Sequence, residues 1–527
     1  MSKKLSKEEK ALILSEYQKN RNITHIAKLL IDIFGKDKSY KNIEKVRKRI
    51  SRFLIREKLS ESSKILENSF EFKKAKARKH DKSKKYYLIT WEQNDTPLFK
   101  PFWEKLLMYK EFLDAELFVI LGRYKNPTSI FTDRKHERWN LETRPYHDAN
   151  RHDLHKYLSV LSDIKISPTR KYPLTGLSGL AVGKSIVVGH PKQHLVTEPV
   201  LNGYPNKMLF TTGAVTLPNY TDSGIGKISE GAHKFGFVIV EIKDDEVFYI
   251  RQVEASPIDG SFIDLKYYVS EDGVKEINKA LAIVTGDIHY YSMDETIDKI
   301  NTRLAEYFNV DYWVMHDVFD GATVNRHIKD NPFEKYKNFK EDKFLIEKEM
   351  KETADWIETK LKYNPVIVYS NHDDRLDRAL LEDWRKDVYN STFYLKYSLL
   401  KLEGKIDKGV FAYYLDQRFE DHVITLKPND SFKIGKYECG LHGDNGINGA
   451  KASPISMRKL NIPMVLAHTH TPYRADDVFY VGTSSKKNLG YNEKGASTWQ
   501  HSTVIIHVNN TAQHILPIKG GFTTFDI

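Results

Sequence analysis

Cysteine is almost absent from this 527-residue chain: Cys439 stands alone, so no intramolecular disulfide can form. Long apolar runs are missing too. No stretch approaches the roughly 18 consecutive apolar residues of a membrane-spanning helix, so we expect none. The first ten residues, MSKKLSKEEK, lack the apolar core of a secretory signal. Together these absences favour a reducing, cytoplasmic setting and no membrane partner.

Positive charge is abundant, and it lies at one end of the chain. Residues 1–85 contain 26 Lys and Arg against 11 Asp and Glu, a net charge of +15, whereas the other 442 residues sum to −4. A concentrated basic segment indicates a polyanionic partner, most often nucleic acid. A solvated basic tail is the alternative. The length of the chain predicts two or three domains rather than one core.

Residues 1–60 predict a small helical module. Ser6 and Glu9 form a capping-box pattern before an apolar run, and Gly35 would end a second helix. A third predicted helix carries five basic residues, Lys45, Arg47, Lys48, Arg49 and Arg52. Three short helices with a basic third one resemble a helix-turn-helix, so we expect these five side chains to bind DNA. Any small basic three-helix bundle would show the same pattern. Residues 61–84 are interpreted as a basic linker.

The rest of the chain predicts an α/β fold that is built twice. A strand, a polar loop, a helical stretch and a second strand follow one another in residues 85–270 and again in residues 278–527. This alternation implies a sheet with helices on its faces, where loops at strand ends collect functional residues. We therefore expect a diverged duplication, with a coincidence of two α/β layouts as the alternative.

Five polar clusters in the second half carry side chains that bind metal ions. They are Asp287-Ile288-His289, His316-Asp317-Val318-Phe319-Asp320, Ser370-Asn371-His372-Asp373, His442-Gly443-Asp444 and His468-Thr469-His470. Four follow an apolar stretch directly, and the fifth follows the turn-like segment YECGL. One such cluster is a chance-level motif, but five in order at strand ends indicate a built site. Mixed carboxylate, imidazole and amide donors suit Mn, Fe or Zn better than Mg or Ca.

The order of these clusters resembles that of the calcineurin-like metallophosphoesterases. The resemblance implies a layered sheet fold and two divalent ions, Mn²⁺ first, with Mg²⁺, Fe²⁺ and Zn²⁺ as alternatives. The implied ligands are Asp287, His289 and His470 for the first ion, Asn371, His442 and His468 for the second, and Asp317 as the bridge. His372 would act at the scissile phosphate instead of binding metal, and Asp373 could orient it. Hydroxide held by the two ions would be the nucleophile.

Three residues that flank the ligands depart from the family pattern, because His316, Ser370 and Ala467 stand where glycine is usual. These departures put the local backbone in doubt more than metal binding. We interpret His316 as a packed surface imidazole, with contact to substrate as the alternative.

The first half lacks the ligand set. Glu92-Gln93-Asn94 stands where the second half has Asp287-Ile288-His289, and Arg123 and Asn126 stand for Asp317 and Asp320. We predict no catalytic metal there. Lys184, Lys192 and His194 are interpreted as part of a solvated face, with phosphate contact as the alternative.

The basic amino-terminal segment favours DNA as the substrate. A phosphomonoesterase gains little from a net charge of +15, whereas a nuclease gains affinity. We therefore expect a two-metal DNA nuclease, similar to the SbcD-type branch. The whole arrangement also resembles the pre-early nucleases of T-five-like tailed phages, which implies degradation of host DNA in the infected bacterial cytoplasm and a homo-oligomer. The alternatives are a DNA-binding regulator on a phosphoesterase scaffold, and a phosphomonoesterase or nucleotide phosphodiesterase.

Overall fold

A computed structural model describes residues 5–19, 23–34, 43, 46–50, 53, 69–71, 80–129, 137–325, 331–489 and 494–527. The helices are α1 (Lys7–Lys19), α2 (Ile23–Phe34), α3 (Lys100–Phe112), α4 (Gly224–Gly231), α5 (Glu295–Tyr307), α6 (Pro332–Lys340), α7 (Ile346–Glu358), α8 (Asp373–Ala379), α9 (Ser391–Leu402), α10 (Val410–Phe419) and α11 (Pro454–Met457). No helix in this part of the chain has the length and apolar character needed to cross a bilayer.

The strands run through both halves of the chain. The first fifteen are β1 (Ser69–Glu71), β2 (Tyr86–Gln93), β3 (Glu116–Gly122), β4 (Arg138–Asn140), β5 (His147–Asp148), β6 (Arg151–His155), β7 (Leu158–Leu161), β8 (Ser185–Val188), β9 (His194–Glu198), β10 (Lys207–Thr211), β11 (Gly236–Ile242), β12 (Phe248–Glu254), β13 (Phe262–Asp264), β14 (Tyr267–Ser270) and β15 (Gly273–Glu276). The others are β16 (Ala280–Thr285), β17 (Tyr312–His316), β18 (Pro365–Val368), β19 (Ile424–Thr425), β20 (Lys433–Ile434), β21 (Tyr437–Glu438), β22 (Met464–Leu466), β23 (Tyr473–Ala475), β24 (Val478–Tyr480), β25 (Thr503–His507) and β26 (Ala512–Ile515). The predicted α/β class is confirmed.

The amino-terminal helices form the predicted cap and a small core of their own. Glu9 N donates to Ser6 Oγ at 3.1 Å, and Ser6 N donates to the Glu9 carboxylate, so the capping box is present. Residues 46–50 are helical as well. The core is formed by Ile13, Ile26, Ala27, Leu30, Val46, Ile50 and Phe53. Of the basic residues predicted to bind DNA, Arg47, Lys48 and Arg49 lie on this third helical segment, whereas Lys45 and Arg52 lie outside the described residues.

Two packed sheets form the first half of the α/β region. One sheet has the strand order β12-β11-β2-β3-β5, and the other runs β9-β10-β8-β7-β6. Apolar side chains from both sheets, such as Ile89 and Val187, meet in one buried core between them. On the outer face of the first sheet, Phe102 and Leu106 of α3 pack against Phe237. The order of layers is therefore helix, sheet, sheet.

The second half has the same sequence of layers and strand directions. Its strand orders are β26-β25-β16-β17-β18-β19 and β23-β24-β22-β21-β20. Strands β16, β17 and β18 run parallel, as β2, β3 and β5 do. Parallel strands bring their carboxyl ends to one edge of the sheet, where the predicted polar clusters begin. The segment interpreted as turn-like before His442 contains strand β21, which pairs with β22.

The two halves share one continuous sheet. Strands β9 and β23 pair antiparallel, with Val196 opposite Tyr473, and so join ten strands into a single sheet. Close to this junction, the buried guanidinium of Arg474 donates to Glu254 at 2.6 Å. Lys234 also reaches Glu254, at 2.8 Å. The pair of Arg474 with Glu254 therefore connects the two halves beside the strand pairing.

Candidate metal centre

Several residues of the polar clusters have a left-handed backbone conformation. Asp287, His289, Asp317, His468 and His470 have φ values of 44°, 44°, 49°, 71° and 55°. Few non-glycine residues adopt this region, because the side chain crowds the backbone. Such strain persists where the surrounding structure enforces it, and it concentrates at functional sites. Each of these turns directly follows or closely adjoins a strand end, so a buried strand positions each predicted ligand.

One buried group contains Asp287, His289, Asp317 and His470. The Nε2 atom of His470 lies 3.2 Å from Asp287 Oδ2 and 3.3 Å from His289 Nε2. His289 Nε2 lies 3.7 Å from Asp317 Oδ2. The backbone N–H groups of His468 and His470 donate to the two Asp287 oxygens at 3.0 and 3.1 Å. These contacts hold the carboxylate of Asp287 toward the imidazoles.

A second group meets the first at Asp317. His442 Nε2 lies 3.4 Å from Asp317 Oδ2, and atoms of Asp287, Asp317 and His442 lie within 4.8 Å of one another. His468 Nδ1 lies 3.0 Å from Asn371 Oδ1. All seven predicted ligands are therefore brought together, and Asp317 belongs to both groups.

Several buried side-chain nitrogen and oxygen atoms at this site have no hydrogen-bond partner, among them Asp317 Oδ1 and His442 Nε2. Buried polar atoms are normally satisfied, so this clustering calls for an explanation. Burial lowers the pKa of His289 to about 3, which keeps its imidazole neutral and able to bind a metal. Burial also acts to lower the pKa of His442, but the Asp317 carboxylate outweighs it and raises that pKa to about 9. The site thus favours added positive charge, and its buried His and Asp groups could hold a metal ion.

His372 is not one of the seven predicted ligands, but it forms a third group with His289 and Asp320, whose side-chain atoms lie within 4.8 Å of one another. Its ring centroid is 4.3 Å from that of His289. Its Nδ1 lies 2.6 Å from the carbonyl oxygen of Asp320, and its Nε2 lies 2.6 Å from Arg375 Nη2. Burial lowers the pKa of His372 to about 4. The imidazole is consequently neutral, with both nitrogens engaged.

Asp373 does not orient the His372 ring directly, contrary to the expectation. Its Oδ2 accepts hydrogen bonds from Ser370 N at 2.8 Å and Ser370 Oγ at 2.9 Å. Ser370 Oγ in turn accepts from the backbone N–H of His372 at 3.2 Å. Asp373 therefore stabilises the loop that carries His372. The carbonyl oxygen of Asp320 fixes the orientation of the His372 ring by its hydrogen bond with Nδ1.

Three residues at the centre were not singled out from the sequence or were misread. Arg375 lies one helical turn after His372 and also donates to the carbonyl of Asp320 at 2.9 Å. The ring of Trp499 lies 3.9 Å from that of His470, a contact between distant segments with no local signal. The interpretation of His316 as a surface imidazole is wrong, since it is fully buried and stacks on His442 at 5.7 Å.

In the first half, the residues that stand for the ligands serve the fold. The Glu92 carboxylate accepts from Asn140 Nδ2 at 2.8 Å and contacts His147 Nε2 at 3.0 Å. Asn94 N donates to Gly122 O, as His289 N does to Asp317 O, so Gly122 rather than Arg123 occupies the place of Asp317.

The prediction of a solvated face in the first half is wrong for two of its three residues. Lys192 and His194 are buried. Lys192 Nζ donates to Arg170 O at 3.1 Å, and His194 contacts Asp476 at 3.1 Å. Lys184 lies 2.9 Å from the carboxylate of Asp153.

The chain is similar to Protein A1 of Escherichia phage T5. The two are 27% identical over 469 residues, which cover 84% of this chain and 83% of that protein. No protein-family model matches the chain, and no solved structure matches it. The similarity to Protein A1 supports a T5-like phage origin.

Proposed function

We propose that the protein is a two-metal phosphodiesterase that cleaves DNA. The observation that carries this proposal is the position of Asp317, a buried carboxylate shared by two donor groups with unpartnered atoms around it. A shared carboxylate lets one site hold two ions close together. Asp287, His289 and His470 would hold one ion, and Asn371, His442 and His468 the other. The mixed N and O donors fit Mn²⁺ first, with Fe²⁺, Zn²⁺ and Mg²⁺ as alternatives.

When bound, two divalent ions supply an activated water and neutralise charge on the phosphate. The chain's own residues then orient and complete the site. Asp287 is fixed by two backbone N–H groups, so it is pre-organised toward an ion. His372 and Arg375 present an imidazole and a guanidinium beside the donor groups. The guanidinium of Arg375 matches the geometry of a phosphate, and its departure toward substrate would free His372 Nε2. This nitrogen carries no proton while Nδ1 donates to the Asp320 carbonyl, so it would first take up a proton from solvent and then donate it to the leaving oxygen.

DNA is proposed as the substrate because of the amino-terminal module. A core of its own and a basic helical segment that includes Arg47, Lys48 and Arg49 suit a unit that docks on a polyanion. Binding by that unit would fall steeply with salt. The similarity to a phage protein fits a setting in the cytoplasm of an infected bacterium. Action on host DNA and a homo-oligomer are further parts of the proposal.

We also propose that the two halves are diverged copies of a metallophosphoesterase-type layered fold. Starting from β12 or β26, successive strands of the helix-covered sheet pair antiparallel, antiparallel, parallel and parallel in both halves. The second sheet repeats its own order of directions as well. Agreement over ten strands per half supports duplication, after which the first copy lost its donors.

The test is incubation of the purified protein with linear, circular and single-stranded DNA, with and without Mn²⁺. Metal-dependent cleavage is expected, and Asp317→Asn should abolish it. Asp311→Asn is the matched control, since Asp311 is a surface carboxylate that pairs with Lys279. No cleavage of any DNA by protein that retains bound metal would refute the nuclease. Comparing bis(p-nitrophenyl) phosphate with p-nitrophenyl phosphate separates the phosphodiesterase from a phosphomonoesterase.

A further inference from the structure

A groove of about 590 Å³ lies beside the candidate metal centre. Helix α6, residues 323–325 and residues 382–394 form its walls. Six aromatic side chains line it, namely Tyr336, Phe339, Phe344, Trp384, Tyr389 and Tyr394. None of them contributes to the donor groups described above.

Some of these rings are held in place and others face solvent. Trp384 stacks on Tyr394 with centroids 5.3 Å apart and planes 7° apart, which forms a rigid floor. Tyr336, Phe339 and Tyr389 are 62%, 52% and 67% exposed. Tyr336 and Phe339 are three residues apart on α6, so they project from one side of the helix. Solvent-facing rings grouped in this way mark an interaction surface.

Lysines accompany the rings. Lys335, Lys343 and Lys386 line the groove together with Glu382, Asp383 and Asp387. Several of these charged groups have partners within the fold: Asp383 pairs with Arg385 at 2.7 Å, Asp387 accepts from Tyr394 at 3.1 Å, and Lys343 pairs with Glu341 at 3.1 Å. Planar rings interspersed with cations are typical of surfaces that bind unpaired nucleic-acid strands, because bases stack and phosphates meet the lysines.

Two segments of the chain connect the groove with the candidate metal centre. Helix α8 begins directly after His372 and ends at Ala379, which lines the groove, so the two places are about 10 Å apart along the helix. Residues 323 and 324 line it too, and they follow Asp320, whose carbonyl sets the His372 ring. A strand with a phosphate at the donor groups would therefore carry neighbouring nucleotides into the groove.

We propose that this groove binds unpaired bases of the DNA strand being cleaved, by stacking on Tyr336 and Phe339. The inference rests on the proposed phosphodiesterase function and adds a substrate class to it. Duplex DNA would have to fray or be opened at the site, so single-stranded DNA is the preferred occupant. A second copy of the chain covering the same rings is the competing occupant.

The experiment measures binding of a fluorescein-labelled oligothymidine of about 16 nucleotides to the full-length protein in EDTA, beside a duplex of equal length. EDTA removes cleavage from the readout. The variants are Tyr336→Ala and Phe339→Ala, with Tyr336→Phe and Phe339→Leu to separate a flat ring from mere apolar bulk. The matched control is Tyr204→Ala, an equally exposed ring at 68% in the other half. Light scattering records the oligomeric state of each.

Each alanine variant should weaken binding of the single strand about 5- to 100-fold and leave binding of the duplex unchanged. Tyr336→Phe and Tyr204→Ala should bind like wild type, and Phe339→Leu should behave like Phe339→Ala. Unchanged single-strand binding in both alanine variants would overturn the proposal, and so would a changed oligomeric state with DNA binding intact. Wild-type binding without any metal-dependent cleavage would refute the phosphodiesterase alone, and cleavage without a single-strand preference would refute the groove alone.

Discussion

The buried carboxylate of Glu349 holds the loop that follows Asp320, and its removal tests how the candidate centre is positioned. Glu349 accepts hydrogen bonds from Ala322 N at 3.0 Å, Thr323 N at 3.1 Å and Thr323 Oγ1 at 2.7 Å. The carbonyl oxygen of Asp320, two residues before Ala322, accepts a hydrogen bond from His372 Nδ1. Glu349→Ala should therefore release the loop and, with it, the anchor of the His372 ring.

The size of the effect follows from the two backbone N–H groups that lose their acceptor. A hydrogen bond to a charged group contributes about 1.5–3 kcal/mol, so opening of the loop should become easier by about 3 kcal/mol or more. This corresponds to a roughly 100-fold increase in local amide exchange. A reacting group displaced by about 1 Å can lower turnover about 100-fold, so hydrolysis of a small phosphodiester should fall by a similar factor.

The protonation of Glu349 should make the stability of the protein depend on pH. Burial, with the nearby Asp320 charge, raises its pKa from 4.5 to about 7. Between these values the folded state binds the proton and the unfolded state does not, so stability falls as the pH rises through this window. The free energy of unfolding falls by about 3 kcal/mol across this pH range. Glu349→Gln abolishes this titration, so its stability relative to wild type should be greater at pH 8 than at pH 4.5.

Hydrogen exchange read by mass spectrometry at pH 8, on peptides spanning residues 320–324, is the direct assay. Glu349→Ala should lose protection there, Glu349→Gln should keep more of it, and the surface variant Glu347→Ala should match wild type. Calorimetric titration with Mn²⁺ should give the same affinity for all four proteins, because Glu349 is not among the donor groups. Equal protection in Glu349→Ala and wild type would refute the positioning role.

Three further predictions concern the centre and the amino-terminal module. Asp317→Asn should remove both ions in a Mn²⁺ titration, and a variant that still binds one ion with wild-type affinity would contradict a bridging role. His372→Ala should keep both ions while turnover falls about 100- to 10,000-fold, and loss of the ions would mean that its role is misassigned. Removal of residues 1–60 should weaken DNA binding more than hydrolysis of bis(p-nitrophenyl) phosphate, and equal losses would argue against a separate docking module.

Local sequence signals predicted the elements that depend on near neighbours. The Ser6 and Glu9 cap forms as expected, because both partners lie within one helical turn. Strands β16, β17 and β18 appear at their apolar runs, and their polar exits converge because parallel strands end at one sheet edge. The predicted ligand residues lie together for the same reason.

Contacts between distant segments had no such signal. Trp499 reaches His470 only because the chain returns through β25 and the turn before it. Lys192 and His194 were predicted to face solvent from their residue types, yet both are buried. His194 lies opposite Ala475 in the pairing of β9 with β23, and Lys192 reaches the carbonyl oxygen of Arg170. Residue type predicts exposure on average, but pairing with a strand from a distant part of the chain can bury a polar side chain.

The sequence by itself determined the donor types, their order and the strand ends that carry them, since these follow from residue identity and short-range periodicity. Only the tertiary structure decided that Asp317 is shared by two groups, that a backbone carbonyl and Arg375 hold His372, and that the halves join in one sheet. Those features depend on side-chain direction and on pairings between remote strands. They are set by packing of the whole chain, because burial and hydrogen bonding must be satisfied everywhere at once.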